Sequence, residues 1–209
     1  MLEIYLIRHG ESVGNREDRF RGRHDFPLNE NGIRQARALY QELSSVPFDA
    51  IYSSPLKRAL TTAEILANKR PILSIADGFT NISLGDWENR KKNEIRDRFP
   101  ELWELWTTEP EKLNFPGMET LAQVKKRSYK ALQDLLKKHP EGRIAVVSHR
   151  AVLKPLIGAV LNISEPYFWK VQIDTAAYSI LEYRPERGFT LTCLNFNKHL
   201  ANFIREDLG

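Results

Sequence analysis

The chain has a single cysteine in 209 residues, Cys193. An internal disulfide is therefore excluded, and so is any metal cluster built on cysteines. A reducing compartment is the default for such a chain, and the cytoplasm is the expected location. Cys193 falls in a late apolar stretch and reads as a small buried residue, not a reactive thiol. Long apolar runs are missing as well: none approaches the roughly 20 residues that cross a bilayer. The amino terminus runs straight into strand-like sequence, without the basic, apolar and small-residue succession of a secretory leader, so no leader is expected. Charge of one sign is not in excess either. The net charge is +4, from 31 Lys and Arg against 27 Asp and Glu, and the basic residues are scattered. With no nucleic-acid motif in sight, this balance suits a small anionic molecule better than DNA or RNA. Repeats and low-complexity segments are absent. A hydrophobic content of 42% is enough for the core of one medium-sized domain, 1–209.

What is present begins at the amino terminus. Leu2, Ile4, Tyr5, Leu6 and Ile7 form a short run rich in β-formers and read as a buried strand. It delivers Arg8, His9 and Gly10 to its carboxyl end, where open α/β sheets place their sites. Alone, the same residues read equally well as a solvated strand end. Residues 10–29 then carry Gly10, Gly14, Gly22, Pro27 and several arginines with little apolar periodicity. A loop of that length inside a compact domain is usually functional. A helix is predicted from about Asn31 to Leu43, a strand over Phe48–Tyr52, and a second helix over Leu56–Ala67. Ser53, Ser54 and Pro55 announce that second helix, and Lys57 and Arg58 fall in its first turn. Pro71–Ile75 reads as a third strand, followed by the irregular stretch Leu84-Gly85-Asp86-Trp87-Glu88.

Residues 90–114 are charged and aromatic, and read as short helices forming a cap or lid. A long amphipathic helix is predicted over Glu119–Lys138, with His139 as a cation at its end. Arg143–Ser148 is the clearest buried strand, and it delivers His149 and Arg150 just as the first delivers Arg8 and His9. A helix over Val152–Leu161 and a hairpin of Ala177–Tyr183 with Phe189–Leu194 follow. The last fifteen residues read as a tail, with His199 at the surface. Strands alternating with helices predict an α/β fold, a three-layer α/β/α sandwich around a mainly parallel sheet. In such a sheet Arg8, His9, Arg58 and His149 all arrive at one edge. Two guanidinium forks and two imidazoles suit a phosphoryl group, whose oxygens must be neutralised as it transfers. The histidines lie in no ligand-spaced cluster with acids or cysteine, so no metal is expected, and no motif calls for another cofactor.

Several motifs recur in the order of a known family. They are Leu6-Ile-Arg-His-Gly-Glu-Ser12 with Asn15, Pro27-Leu28 with Gly32 and Gln35-Ala36, Ser53-Ser-Pro-Leu-Lys-Arg-Ala59, Gly85-Asp-Trp-Glu88, Glu119-Thr-Leu121 and Val147-Ser-His149. On these the chain resembles the phosphoglycerate-mutase-like branch of the histidine phosphatase superfamily, over nearly all of its length. The resemblance implies a metal-independent phosphomonoester phosphatase acting on a small phosphorylated metabolite. It implies that His9 is the nucleophile and is transiently phosphorylated. Arg8, Arg58 and His149 would clamp the phosphoryl oxygens, and Asn15, Arg21 and Gly22 would complete the substrate pocket. The length resembles the compact α-ribazole phosphatase and broad-specificity types. A phosphoglycerate mutase and a degenerate, non-catalytic phosphate-binding protein are the rival readings. The natural substrate and the oligomeric state stay open.

Three departures stand out. Related enzymes usually carry a glutamate, the acid for the leaving oxygen, four residues before the glycine that matches Gly85. Here Asn81 occupies that place, and an amide cannot serve as an acid; Asp86 and Glu88 are nearby carboxylates that read as exposed loop charges beside a packed Trp87. Arg150 stands where a glycine often follows the second histidine. It could meet a second anionic group of the substrate or point to solvent. Met118 stands where a second glycine is common.

Overall fold

In the computed structural model of the chain, residues 1–70 and 73–201 are described. Strand β1 (Leu2–Arg8) is buried along almost its whole length, as a central strand covered on both faces must be. Because side chains alternate along a strand, Leu2, Ile4 and Leu6 enter one core while Tyr5 and Ile7 enter another. After a single turn of helix, α1 (Val13–Arg16), comes α2 (Glu30–Glu42), opened by the Asn29 side chain accepting from the Gly32 amide at 2.8 Å. Then follow β2 (Ala50–Ser53), α3 (Lys57–Ala67) and β3 (Leu73–Ile75). The predicted third strand began at Pro71; Pro71 and Ile72 lie outside the described residues.

Residues 90–114 form two short helices, α4 (Lys92–Arg98) and α5 (Pro100–Thr108), and a 3-10 turn at Pro110–Lys112. The long helix α6 (Leu121–Lys138) starts at a reciprocal cap between Thr120 and Gln123. The rest is β4 (Gly142–Ser148), α7 (Arg150–Val160), β5 (Tyr178–Arg184) and β6 (Gly188–Phe196).

The sheet runs β3-β2-β4-β1-β5-β6. The first four are parallel, and β5 and β6 add the expected antiparallel hairpin at one edge. Leu39 of α2 and Ala63 and Leu66 of α3 share a core with Tyr5, Ile7 and Val147; Val124 and Leu132 of α6 and Val152 and Leu156 of α7 share the other with Ile4, Leu6 and Val146. The three layers follow directly. Among the described residues no helix is long and apolar enough to cross a membrane.

Two histidines differ from their sequence reading. His139 caps α6, but its ring nitrogen lies 2.7 Å from the Tyr52 hydroxyl and burial lowers its pKa, so at neutral pH it is not a cation. His199 is not a surface residue: it is half-buried, stacked on Tyr178 and Phe196, with Nε2 3.1 Å from the Ala176 carbonyl. Asn195 and Phe196 extend β6, so the predicted tail is ordered structure at its start, and 202–209 lie outside the described residues. Cys193 sits half-buried on β6.

Candidate active site

Strand register sets the geometry of the site. Arg8 is level with Ser148, and Ser53 with Val147. Pairing continues one residue further, with the His9 amide donating to Ser148 O and the Ser54 amide to Val147 O, both at 3.0 Å. His9, His149 and Ser54 therefore leave the sheet side by side. The two imidazoles have centroids 5.1 Å apart, and His149 Nε2 lies 2.8 Å from Ser54 Oγ. His149 is also the N-cap residue of α7, so the helix starts at the site with its positive end.

The tautomer of His9 follows from its neighbour. Nδ1 lies 2.6 Å from the Gly10 carbonyl. A carbonyl only accepts, so Nδ1 carries the proton and Nε2 keeps the lone pair. Gly10 is itself pinned by its amide donating to Thr62 Oγ1 at 3.0 Å. Burial, then Arg58, then Arg8 hold the His9 pKa well below its ordinary 6.5; burial, Arg58 and His9 do the same to His149. Both rings are neutral at pH 7.

Arg8 and Arg58 are almost wholly buried. Arg8 donates to the Ile173 carbonyl at 2.8 Å. Arg58 donates to the carbonyls of Gly22 at 2.8 Å and His24 at 2.9 Å. Burial and the neighbouring Arg21 bring its pKa down to about 9, which still leaves it charged at neutral pH. Gly22 is a built position: φ is +47°, and a Cβ there would collide with the Glu88 carboxylate. Glu88 Oε1 in turn accepts from the amides of Arg23 at 2.9 Å and Leu84 at 3.0 Å. Glu88 is thus half-buried structural support, unlike the exposed charge read from sequence, whereas Asp86 is exposed and Trp87 is buried as read. Asn81 closes the same corner. Its side-chain amide donates to Gly22 O at 2.7 Å, its Oδ1 is buried without a partner, and its backbone carbonyl receives Arg23 and Arg127.

A cleft opens above these groups. Of the residues singled out in sequence, Arg8, His9, Arg21, Gly22, Asn81, His149 and Arg150 line it. Arg58 does not line it; its fork faces the loop carbonyls just named. Asn15 does not either: its Oδ1 accepts from the Ser12 amide and hydroxyl, capping α1. Arg150 is turned inward, nine-tenths buried, with its guanidinium 5.4 Å from the Trp169 ring. The structure also supplies an outer wall of Phe20, Ile82, Leu84, Trp106, Met118, Leu121 and Phe168, with Arg19 and Lys92 among its cations; several come from the long early loop and the 90–114 cap, but none was named as a site residue from sequence. Lys92 is paired with Asp18 and Arg19 with Glu17. Behind that wall Lys154, which falls in the helix predicted over Val152–Leu161, is buried with Nζ 4.7 Å from the Phe168 ring. Among the described residues no group of three or more His, Cys, Asp or Glu could hold a metal.

A buried nitrogen lone pair beside a second imidazole, at the floor of a cationic cleft, can attack and hold a tetrahedral anion. The comparisons agree with that chemistry. The family model of the histidine phosphatase superfamily, branch 1, matches residues 4–197, so the chain belongs to that superfamily and is a phosphatase. Phosphoserine phosphatase 1 of Hydrogenobacter thermophilus is 36% identical over 207 residues, covering 99% of this chain and 98% of its own. The YhfR protein of Bacillus stearothermophilus superimposes with a TM-score of 0.91 at 30% identity, covering 96% of this chain and 100% of its own. A phosphoserine phosphatase from Entamoeba histolytica, solved with phosphoserine, gives 0.85 at 29% identity, covering 96% and 100%.

Proposed function

We propose that the cleft hydrolyses small phosphate esters by phosphorylating His9 Nε2. One observation carries this reading: His9 is held as the Nδ1–H tautomer by Gly10, so its free lone pair belongs to the nitrogen that can attack. Covalent catalysis of this kind replaces one difficult transfer with two easier ones. Arg8 and His149 take the equatorial oxygens, with the amino end of α7 adding its partial charge. Arg21 and Gly22 line the substrate's path, and Arg150 meets the part of the substrate beyond phosphorus. Arg58 and Asn15 act one layer back, Arg58 by fixing Gly22 and His24, Asn15 by closing the turn after Ser12. The arginines supply the positive charge that a metal ion supplies in other phosphoryl-transfer sites.

The helices α4 and α5 serve as a lid over the cleft of a single domain, with Lys92 and Trp106 on its inner side. The lone cysteine points to a reducing, cytoplasmic setting, and the scattered charge to a small-molecule ester, not nucleic acid. The test is phosphate release from a panel of phosphorylated metabolites that includes phosphoserine, on which two of the similar proteins are named to act, with 3-phosphoglycerate to expose mutase activity. Release from at least one ester, lost in His9→Ala, is the expected result. Interconversion of phosphoglycerates without phosphate release would assign the chain to the mutases instead.

A further inference from the structure

Among the described residues, the wall of the cleft contains no carboxylate. The acids around it are committed elsewhere: Glu88 to two backbone amides, Asp18 to Lys92, Glu17 to Arg19, and Glu119 to Arg23 and Arg127. Asp86 is exposed. The amide in that wall, Asn81, donates its N–H to the Gly22 carbonyl and is far too weak an acid to protonate a departing alkoxide. His149 cannot replace an acid, because burial and Arg58 keep it neutral at pH 7. A guanidinium does not serve as a proton donor at neutral pH.

This absence matters for one bond. In phosphoryl transfer the transition state is loose, and the bond to the departing oxygen is largely broken before the new bond forms. Without an acid, that oxygen leaves with nearly a full negative charge. The burden is light for a phenol, whose pKa is about 10, and heavy for an alcohol, whose pKa is closer to the value of about 15.7 for water.

Resting on the reading of His9 as nucleophile, we propose that the cleft selects phosphates whose departing oxygen is already acidic, namely aryl phosphates and acyl phosphates, over phosphates of simple alcohols. The His9 Nε2 lone pair forms the N–P bond. The P–O bond breaks with its electron pair going to the departing oxygen, which leaves as phenolate or carboxylate. Water then attacks phosphorus, the P–N electron pair returns to Nε2, and the proton of the water passes to solvent. The outer wall fits such leaving groups. Phe20, Trp106 and Met118 line it with apolar atoms that a ring can meet, and Arg150 in the same wall meets the departing charge.

The test is kcat/KM of the wild-type protein across nitrophenyl, phenyl and acetyl phosphates and the alkyl esters phosphoserine and glycerol phosphate. This ratio reports P–O cleavage even if hydrolysis of the phosphoenzyme limits kcat. Each reaction is also quenched in base and assayed for phosphohistidine. Alkyl esters are expected to react about 100- to 10000-fold more slowly than nitrophenyl phosphate, the worth of general-acid help. Asn81→Glu should raise the alkyl rates by a similar factor and the aryl rates little, while Asn81→Gln leaves the gap in place. Equal alkyl and aryl ratios with phosphate found on His9 would overturn the selectivity and leave the nucleophile standing. Failure of every ester to label the protein would overturn the nucleophile as well.

Discussion

The two ends of the cleft are built differently. At the inner end, Arg8 and His9 come from one strand end and His149 from its neighbour, in register and at most 2% exposed. Their placement is inherited from the sheet and leaves little room to drift. The outer end is assembled from five separate stretches of chain: Phe20 in the long loop, Ile82 and Leu84 before the Gly85 turn, Trp106 on α5, Met118 and Leu121 at the start of α6, and Phe168 after α7. On the proposed mechanism, the strand ends carry the chemistry and the joined loops and short helices choose the substrate. Substitutions at the two ends should then fail in different ways.

The largest effect is expected at the inner end. Arg8→Ala should lower kcat about 100- to 1000-fold with a smaller change in KM, since it removes a donor to the charge developing in the transition state. A change confined to KM would move Arg8 out of the reaction and into simple binding. Arg58→Lys is expected to cost about 100-fold although the charge is kept. A single ammonium cannot span the carbonyls of Gly22 and His24, and a misplacement of about 1 Å carries a cost of that order. Activity within a few-fold of wild type would show that the loop holds its shape without the fork.

At the outer end the effect should be smaller and substrate-dependent. Trp106→Ala is expected to raise KM for aryl phosphates by about 2- to 10-fold, equivalent to the roughly 0.5–1.5 kcal/mol of a ring contact, while inhibition by inorganic phosphate stays the same. Loss of phosphate inhibition would mean that the two ends are not separate.

The smallest effect is on pH. Both histidines have pKa values held well below 6.5 in the folded protein. The free enzyme should therefore keep kcat/KM, corrected for ionisation of the substrate phosphate, as pH falls past 6.5. Stability has the matching sign. Unfolded histidine takes up protons below 6.5 while the buried rings do not, so stability is complete above 6.5 and declines as pH falls toward the folded values. Denaturant titrations of wild type and His9→Ala between pH 5 and 7 should show a shallower decline in the variant.

The same division explains what the sequence could disclose. An apolar strand running into Arg8, His9 and Gly10 has a short-range signature, as does the β4 stretch ending at His149, and both are where they were expected. Arg58 was legible as a helix-opening cation but its partners were not, because they are carbonyls more than thirty residues away whose position depends on the Gly22 turn. Glu88 looked like an exposed charge because its partners are two backbone amides, which leave no mark in side-chain patterns. His199 was misplaced because its burial comes from stacking on Tyr178 and Phe196 across the hairpin. The outer wall was illegible for the same reason on a larger scale. Trp106 fell in the 90–114 stretch read as a helical cap or lid, but nothing in that stretch marked it as lining the cleft. That Asn81 stands where related enzymes carry a glutamate was readable only through the family resemblance, counted back from Gly85.

The most direct measurement is of phosphate on His9 itself. The protein is mixed with a radiolabelled aryl phosphate, quenched in base within the first turnover, digested, and the labelled peptide sequenced. The account predicts base-stable, acid-labile label on the Nε2 of His9, absent from His9→Ala together with turnover. Label on another residue, or label and turnover that persist in His9→Ala, would contradict it.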